Sequence, residues 1–181
     1  MYPLDELTHE VLKMAMVALN SLTDYNNGEL IHQWFDLEDY SDHEEYLEAV
    51  HEWLQSITKE RQDGELREEW CIGDVEDIPS QYVGSYDIDP EFWEYLEACN
   101  EHGPEIVQAA LDCDIPLDKI EDAYAGQADS DVEFTEEWVE STGMLDNVPD
   151  SLRFYFDMEA FARDLMMDYY SSNGHYFYAN W

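Results

Sequence analysis

The sequence predicts an α+β fold, on three observations. Apolar residues recur at spacings of three and four in several windows, the signature of amphipathic helices. Asn27-Gly28 supplies the positive φ angles that a tight hairpin needs, and short β-rich runs such as His175 to Tyr178 stand among the helical windows. The chain carries 45 acidic and 7 basic residues, yet 45% of it is hydrophobic, with 6 Trp, 13 Tyr and 7 Phe. Disorder from charge goes with few aromatics and little apolar content, so this chain folds around one or more packed cores.

The apolar stretch Met14 to Leu19, followed by Asp24-Tyr25-Asn26-Asn27-Gly28, reads as the first arm and turn of a hairpin whose second arm is Leu30 to Phe35. That stretch is short and is preceded by Asp5, Glu6 and Glu10 instead of a basic segment, which excludes a signal peptide. Ser41-Asp42-His43-Glu44 is an N-cap with an acidic first turn. Tyr46, Leu47, Val50, Trp53, Leu54 and Ile57 then line one face of a helix, and Glu44, Glu48 and Glu52 line another. Like charges four apart on a helix repel by a few tenths of a kcal/mol per pair, so something other than stability favours that ridge.

Glu69 to Val75 and Gln81 to Tyr86 have β-like content and are read as two short strands. Asp89-Pro90 caps and starts a second helix, with Phe92, Leu96 and Cys99 on one face, Glu94, Glu97 and Glu101 on another, and Gly103-Pro104 at its end. Pro104 to Cys113, Pro116 to Tyr124 and Val132 to Ser141 read as helices, with Gly126 and Gly143 as stops. The ending reads as a strand over Leu152 to Phe156, a helix from Asp157 to Met167, and a final strand after Asn173-Gly174. No internal repeat of fixed period is present.

The net charge of −38 narrows the function. Between Glu68 and Asp150 there are 25 acidic residues and one basic residue, Lys119. Binding nucleic acid depends on lysines and arginines that displace counterions, so Coulomb repulsion disfavours it here, and the negative field attracts basic proteins instead. A globule of this mass exposes about 9,000 Å², or roughly one net charge per 240 Å² if charge is spread evenly. Duplex DNA carries about one per 110 Å², taking its charge per length on a cylinder about 20 Å across. An even sphere falls short by about twofold; an elongated body with carboxylates gathered on one side matches.

Motifs for catalysis are absent. Asp129-Ser130-Asp131-Val132-Glu133 with Glu137 and Glu140 imitates a calcium loop, but Phe134 stands where the sharp turn needs Gly. His43-Glu44 and His51-Glu52 start like zinc-protease helices, yet Leu47 and Gln55 replace the second His. His9, His32, His43, His51, His102 and His175 form no ligand cluster in sequence, and no metal or cofactor is expected. There is no nucleophile elbow, phosphate-binding loop or dinucleotide fingerprint. Cys71, Cys99 and Cys113, odd in number and without metal-like spacing, read as reduced thiols inside a cell. No apolar run reaches the roughly 18 residues of a membrane span. Composition by itself leaves three readings about level: imitation of DNA, adaptation to salt, and general binding of basic proteins. A hydrolase site of paired carboxylates, which 45 acids leave unselected, and a metal-dependent enzyme are the remaining alternatives.

Tyr25-Asn26-Asn27-Gly28-Glu29-Leu30 with Trp34-Phe35-Asp36-Leu37, then Glu45-Tyr46-Leu47-Glu48-Ala49, then Glu69-Trp70-Cys71-Ile72-Gly73-Asp74-Val75-Glu76 with Ile78-Pro79, occur in the order seen in a known family. Most specific is the block from Val148-Pro149-Asp150-Ser151-Leu152-Arg153-Phe154-Tyr155-Phe156-Asp157 to Leu165, followed by Asn173-Gly174-His175-Tyr176-Phe177. Over nearly its whole length the chain resembles the ArdA antirestriction family of conjugative plasmids, transposons and phages. It departs from that pattern before about Met14 and at Val75, where the family usually has Tyr.

The resemblance implies a non-enzymatic protein of three small domains in a curved, elongated chain. These would be a hairpin-and-helix domain over 1–66, a mainly helical middle over 67–103, and an α+β domain over 104–181 through which the chain forms a homodimer. It implies that acidic side chains follow the phosphate path of bent duplex DNA and occupy the DNA-binding groove of type I restriction-modification enzymes in the bacterial cytoplasm. The residues assigned to phosphate imitation are Glu44, Glu48 and Glu52; Glu94, Glu97 and Glu101; and the run Asp129, Asp131, Glu133, Glu136, Glu137 and Glu140. A buffer for basic DNA-binding proteins is the rival binding function.

Overall fold

The computed structural model describes residues 15–181; Lys13, Met14 and the acidic segment before them lie outside the described residues. The fold class is α+β, with eight α-helices and two small antiparallel sheets among the described residues. Two compact units divide the chain, one ending at Leu96 and the other beginning at Glu97.

In the first unit, strand β1 (Met16–Ser21) is central, with order β2-β1-β3. Strand β2 (His32–Asp36) pairs with it antiparallel, Val17 opposite Phe35. The expected hairpin is therefore present, but its connection is longer than a tight turn. Ser21 caps a short helix, α1 (Leu22–Asn26), accepting from the Asp24 N–H, and the positive φ of Gly28 (82°) falls after that helix. Strand β3 (Trp70–Glu76) covers the other side of β1, as the β-like content of that stretch predicts. Register slips between Ala18 and Leu19, which leaves Gly73 as the extra residue of a bulge. A Cβ there would lie 2.4 Å from the Asn20 amide nitrogen.

Helix α2 (His43–Arg61) lies on this sheet. Its start carries the anticipated cap: the Asp42 carboxylate accepts from Glu45 N–H at 2.9 Å, and the Glu45 carboxylate accepts from Ser41 N–H and Oγ at 2.7 and 2.8 Å. Those donors, the backbone N–H first, hold Glu45 below its ordinary carboxyl range. Tyr46, Val50, Leu54 and Ile57 are buried against Val17, Leu19, Phe35 and Leu37, and Leu47 and Trp53 pack at the edge. Phe92 and Trp93 close the same core from the start of helix α3 (Glu91–His102). Asp89 accepts from Glu91 N–H at 2.9 Å, so Asp89-Pro90 starts that helix as its sequence indicates.

Gln81 to Tyr86 is not a strand. A 3-10 turn occupies Ser80–Tyr82, and pairing is confined to one bridge, Val83 with Ile88. The Gly84 N–H donates to the Asp87 carbonyl at 2.9 Å, which turns the chain back before a ladder can form.

The second unit holds helix α4 (Pro104–Asp112), a 3-10 turn at Leu117–Lys119 running into helix α5 (Ile120–Ala123), and strand β4 (Tyr124–Gln127). Gly126 is no helix stop: it sits in β4 at a register irregularity with φ of 145°. Helix α6 (Asp131–Thr142) ends at Gly143 in the left-handed region (φ 64°), as expected. Helix α7 (Asp150–Arg153) occupies part of the stretch read as a strand. The Arg153 guanidinium donates to the Val148 and Asp146 carbonyls at 2.9 and 3.2 Å and holds that turn helical. Helix α8 (Met158–Leu165) follows, capped by Asp157. Strands β5 (Tyr169–Ser172) and β6 (His175–Tyr178) form a two-residue hairpin through Asn173-Gly174, both at positive φ, and complete a sheet of order β4-β6-β5. Phe134 of α6 stacks on Tyr176 with centroids 4.1 Å apart, and Trp138 meets Phe161 of α8 at 5.9 Å.

Candidate functional site: exposed carboxylate ridges

Burying Tyr46, Val50 and Leu54 forces the opposite face of α2 outward, and Glu44, Glu48 and Glu52 stand on it, all exposed. At 1.5 Å rise per residue their backbones repeat about every 6 Å along the helix. Among the described residues no hydrogen bond or ion pair engages the three. On α3, Glu94, Glu97 and Glu101 are exposed while Phe92, Trp93, Ala98 and Cys99 are buried. The division between the units falls within α3, between Leu96 and Glu97. Glu101 approaches the His102 ring at 3.9 Å.

The third group is in the second unit, and its members differ. Phe134, Thr135 and Val139 are buried, which turns Glu133, Glu136, Glu137 and Glu140 outward with Asp129 and Asp131 before them. Phe134 is a core residue of α6, so this stretch is an acidic helix and not a calcium loop. Asp131 accepts from the Tyr176 hydroxyl at 2.9 Å. Burial, then Asp131, pushes that hydroxyl's pKa up to about 12. Glu133 accepts from Asp129 N–H at 3.0 Å while its own N–H donates to Ser130 Oγ at 3.2 Å. Asp131 and Glu133 thus serve the fold as well as the surface; Glu136, Glu137 and Glu140 have no such partners among the described residues.

One charge cluster that sequence reasoning missed accounts for two of the seven basic residues. Asp24 and Arg67 side chains are 0% and 1% exposed. Arg67 Nε and Nη2 donate to the two Asp24 oxygens at 2.7 and 2.8 Å, and Nη2 also donates to Asp63 at 2.8 Å. Ser21 Oγ donates to Asp24 at 2.6 Å, Arg61 donates to it at 3.1 Å, and Arg61 also pairs with Glu29. The Arg67 guanidinium holds the Asp24 carboxyl below its ordinary value against the opposing effect of burial. Hydrogen bonds from Arg67 and then from Glu65 N–H take Asp63 down to about 2. Lys119 lies 3.1 Å from Asp118 and Arg153 lies 3.8 Å from Asp150. Most of the few cations are therefore spent within the protein, and the acidic surplus is left facing solvent. Asp24 gave no signal of this cluster in sequence, because its arginine partners lie 37 and 43 residues away.

Among the described residues no group of three or more His, Cys, Asp or Glu side chains is placed to hold a metal ion, and no helix is long and apolar enough to cross a membrane. The sequence matches the family described as antirestriction protein (ArdA) over residues 18–178. The chain belongs to the ArdA antirestriction family. Membership gives it a non-enzymatic, inhibitory role against restriction, with a restriction enzyme as target. The ArdA match takes in every carboxylate assigned above and begins within β1. No curated protein matches the sequence.

Proposed function

We propose that this antirestriction protein works as a mimic of duplex DNA: its carboxylates take the place of phosphates in the DNA-binding groove of type I restriction-modification enzymes, and it competes with DNA without making or breaking a bond. The observation that carries the reading is that unpaired, exposed glutamates repeat along helix faces while most of the few cations are already paired within the protein. An acidic coat for solubility needs no such ordering, and repeated like charges at helical spacing work against the helix that bears them. The mimic acts as a homodimer in the bacterial cytoplasm, as a curved, elongated chain of three small domains, and does not itself bind nucleic acid. An apolar patch in the second unit supports association there: Leu152, Phe154 and Tyr155 are 57%, 92% and 82% exposed, which is unusual for side chains of this size on a solitary surface.

A type I restriction enzyme held on labelled duplex and titrated with this protein at two salt concentrations tests the reading. Displacement at near-stoichiometric protein, weakening as salt rises, is the expected result. An absence of displacement at low salt would sink it, and equal binding to unrelated basic DNA-binding proteins would favour a general acidic buffer.

A further inference from the structure

Resting on that reading and deepening it, we infer that the first unit also carries a receptor for one arginine side chain of the target, a contact that duplex DNA does not offer in this form. The site is a groove of about 510 Å³ lined by Leu22, His51, Glu68, Glu69, Trp70 and Tyr86.

Its framework is fixed by backbone pairing. Leu22 N–H donates to the Glu69 carbonyl at 3.0 Å, and Trp70 pairs with Ser21 at the end of the β1–β3 ladder. Trp70 is half-buried, and its Nε1 is wholly buried without an acceptor, so the part of the indole left at the surface is its carbon rings. The His51 ring stands edge-on to that indole at 5.4 Å. Because His51 Nδ1 lies 2.7 Å from the Leu47 carbonyl, which can only accept, Nδ1 carries the proton and Nε2 of the neutral ring is an acceptor. Tyr86 is 64% exposed, a large ring left in water beside the groove. Glu68 and Glu69 are exposed, and their carboxylates have no partner among the described residues.

Aromatic faces, two unpaired carboxylates and an imidazole acceptor, with the unpaired Trp70 N–H buried away from the surface and the Tyr86 hydroxyl the one other unpaired side-chain donor of the lining, describe the complement of a flat, many-donor cation. A guanidinium stacks on aromatic rings, is more weakly hydrated than an ammonium, and forks onto carboxylates. An adjoining hollow of about 380 Å³ shares His51 and Glu68 but carries Lys59, whose positive charge directs an incoming cation to the Trp70–Tyr86 end; Arg67, which also lines it, is already matched by Asp24 and Asp63. Enzymes that grip DNA present arginines to it, so the occupant is already implied by the partner class.

The test uses the full chain with Nα-acetyl-arginine amide and Nα-acetyl-lysine amide as probes at high salt, read by the indole N–H resonance of Trp70 in two-dimensional NMR. The arginine probe is expected to shift that resonance saturably, and more than the lysine probe does. The shift should be lost in Tyr86→Ala and in Glu68→Gln/Glu69→Gln, and kept in Tyr86→Phe. In the DNA-competition assay Tyr86→Ala should need about two- to fivefold more protein for half displacement, the size of an exposed cation–π contact. Equal shifts from both probes, shifts no larger at Trp70 than at the outer glutamates, or an unaltered Tyr86→Ala would overturn the inference while leaving mimicry standing. Failure of the unaltered protein to displace DNA would remove the mimicry itself. Tyr86 is exposed, so its replacement leaves the core intact, and an unchanged circular dichroism melt confirms this.

Discussion

Replacing Arg67 with Met removes the centre of the buried charge cluster while keeping the length of its stem. Asp24, 0% exposed, would lose both arms of the guanidinium fork and keep Ser21 Oγ and Arg61, the latter itself 34% exposed. Removing one partner of a buried pair costs about 3–5 kcal/mol, because the other charge stays out of water; the surviving Arg61 contact places this case near 3 kcal/mol. Four of the six tryptophans, Trp34, Trp53, Trp70 and Trp93, lie in the first unit, so urea unfolding followed by tryptophan fluorescence reports chiefly on it. With a slope of about 1–3 kcal/mol per molar urea, the midpoint should fall by about 1–3 M at neutral pH. The sign of the pH dependence follows from the depressed Asp24 carboxyl. A group whose folded pKa is lowered contributes stability above its unfolded value, near 3.9, and loses it as pH falls toward the folded value. The gap between the two proteins should therefore be complete at neutral pH and shrink below about pH 4. A loss under about 1 kcal/mol, the worth of an exposed pair, would refute the assignment of this cluster as the clamp between α1, α2 and the approach to β3.

Further outcomes can be checked separately. Glu48→Gln/Glu52→Gln should stabilise α2 by about 0.4–1 kcal/mol, through relief of two like-charge pairs, with Glu44 kept as a favourable first-turn acid. The same variant should weaken DNA displacement by about tenfold at low salt; either single change at Glu48 or Glu52 should alter displacement little, because screening over about 8 Å spreads the field. If the chain dimerises through this patch, as proposed, Phe154→Ser/Tyr155→Ser should sediment as a monomer at concentrations where the unaltered chain does not, while keeping its circular dichroism spectrum, since both rings are exposed. Phe134→Ala should destabilise the second unit by about 3–5 kcal/mol in thermal unfolding, as a buried ring stacked on Tyr176 is deleted.

Elements whose signal is local were legible in the sequence. Helix α2 was readable from the cap at Asp42 to Ile57 because its apolar spacing, cap and acidic first turn agree, and the outward position of Glu44, Glu48 and Glu52 follows from that spacing alone. The same holds for α3 and for α6 with its stop at Gly143. Elements that depend on distant partners were not legible. Strand β5 is absent from the sequence reading because Tyr169 to Ser172 has no alternation of its own and exists through pairing with β6. Leu152 to Phe156 has the composition of a strand, yet Arg153 ties it into a helical turn and its aromatic rings face outward. The Asn27-Gly28 signal found the right hairpin but not its helical connection, which exists because Asp24 is drawn inward by Arg67 from 43 residues away. Of the assigned carboxylates, Asp131 could not be told from its neighbours, since its engagement by Tyr176 is visible only once the second sheet is built, whereas Glu133, three after the Ser130 cap, carries a local capping signal that the sequence reading did not use.

The acid at the head of α2 and the acids along its flank answer to different forms of selection. Asp42 and Glu45 bind the free N–H groups of the helix start, so a mutation there is punished in every cell by a less stable fold. On the proposed reading, Glu48 and Glu52 hold no bond of the fold among the described residues and repel their neighbours on the ridge, so a mutation there is rewarded by the fold and punished only where a restriction enzyme must be resisted. In a lineage whose hosts lack such enzymes, the flank should lose its carboxylates while the head keeps them. On that reading, the ratio of substitution at these two sets of positions records how recently the gene has had to defend its DNA.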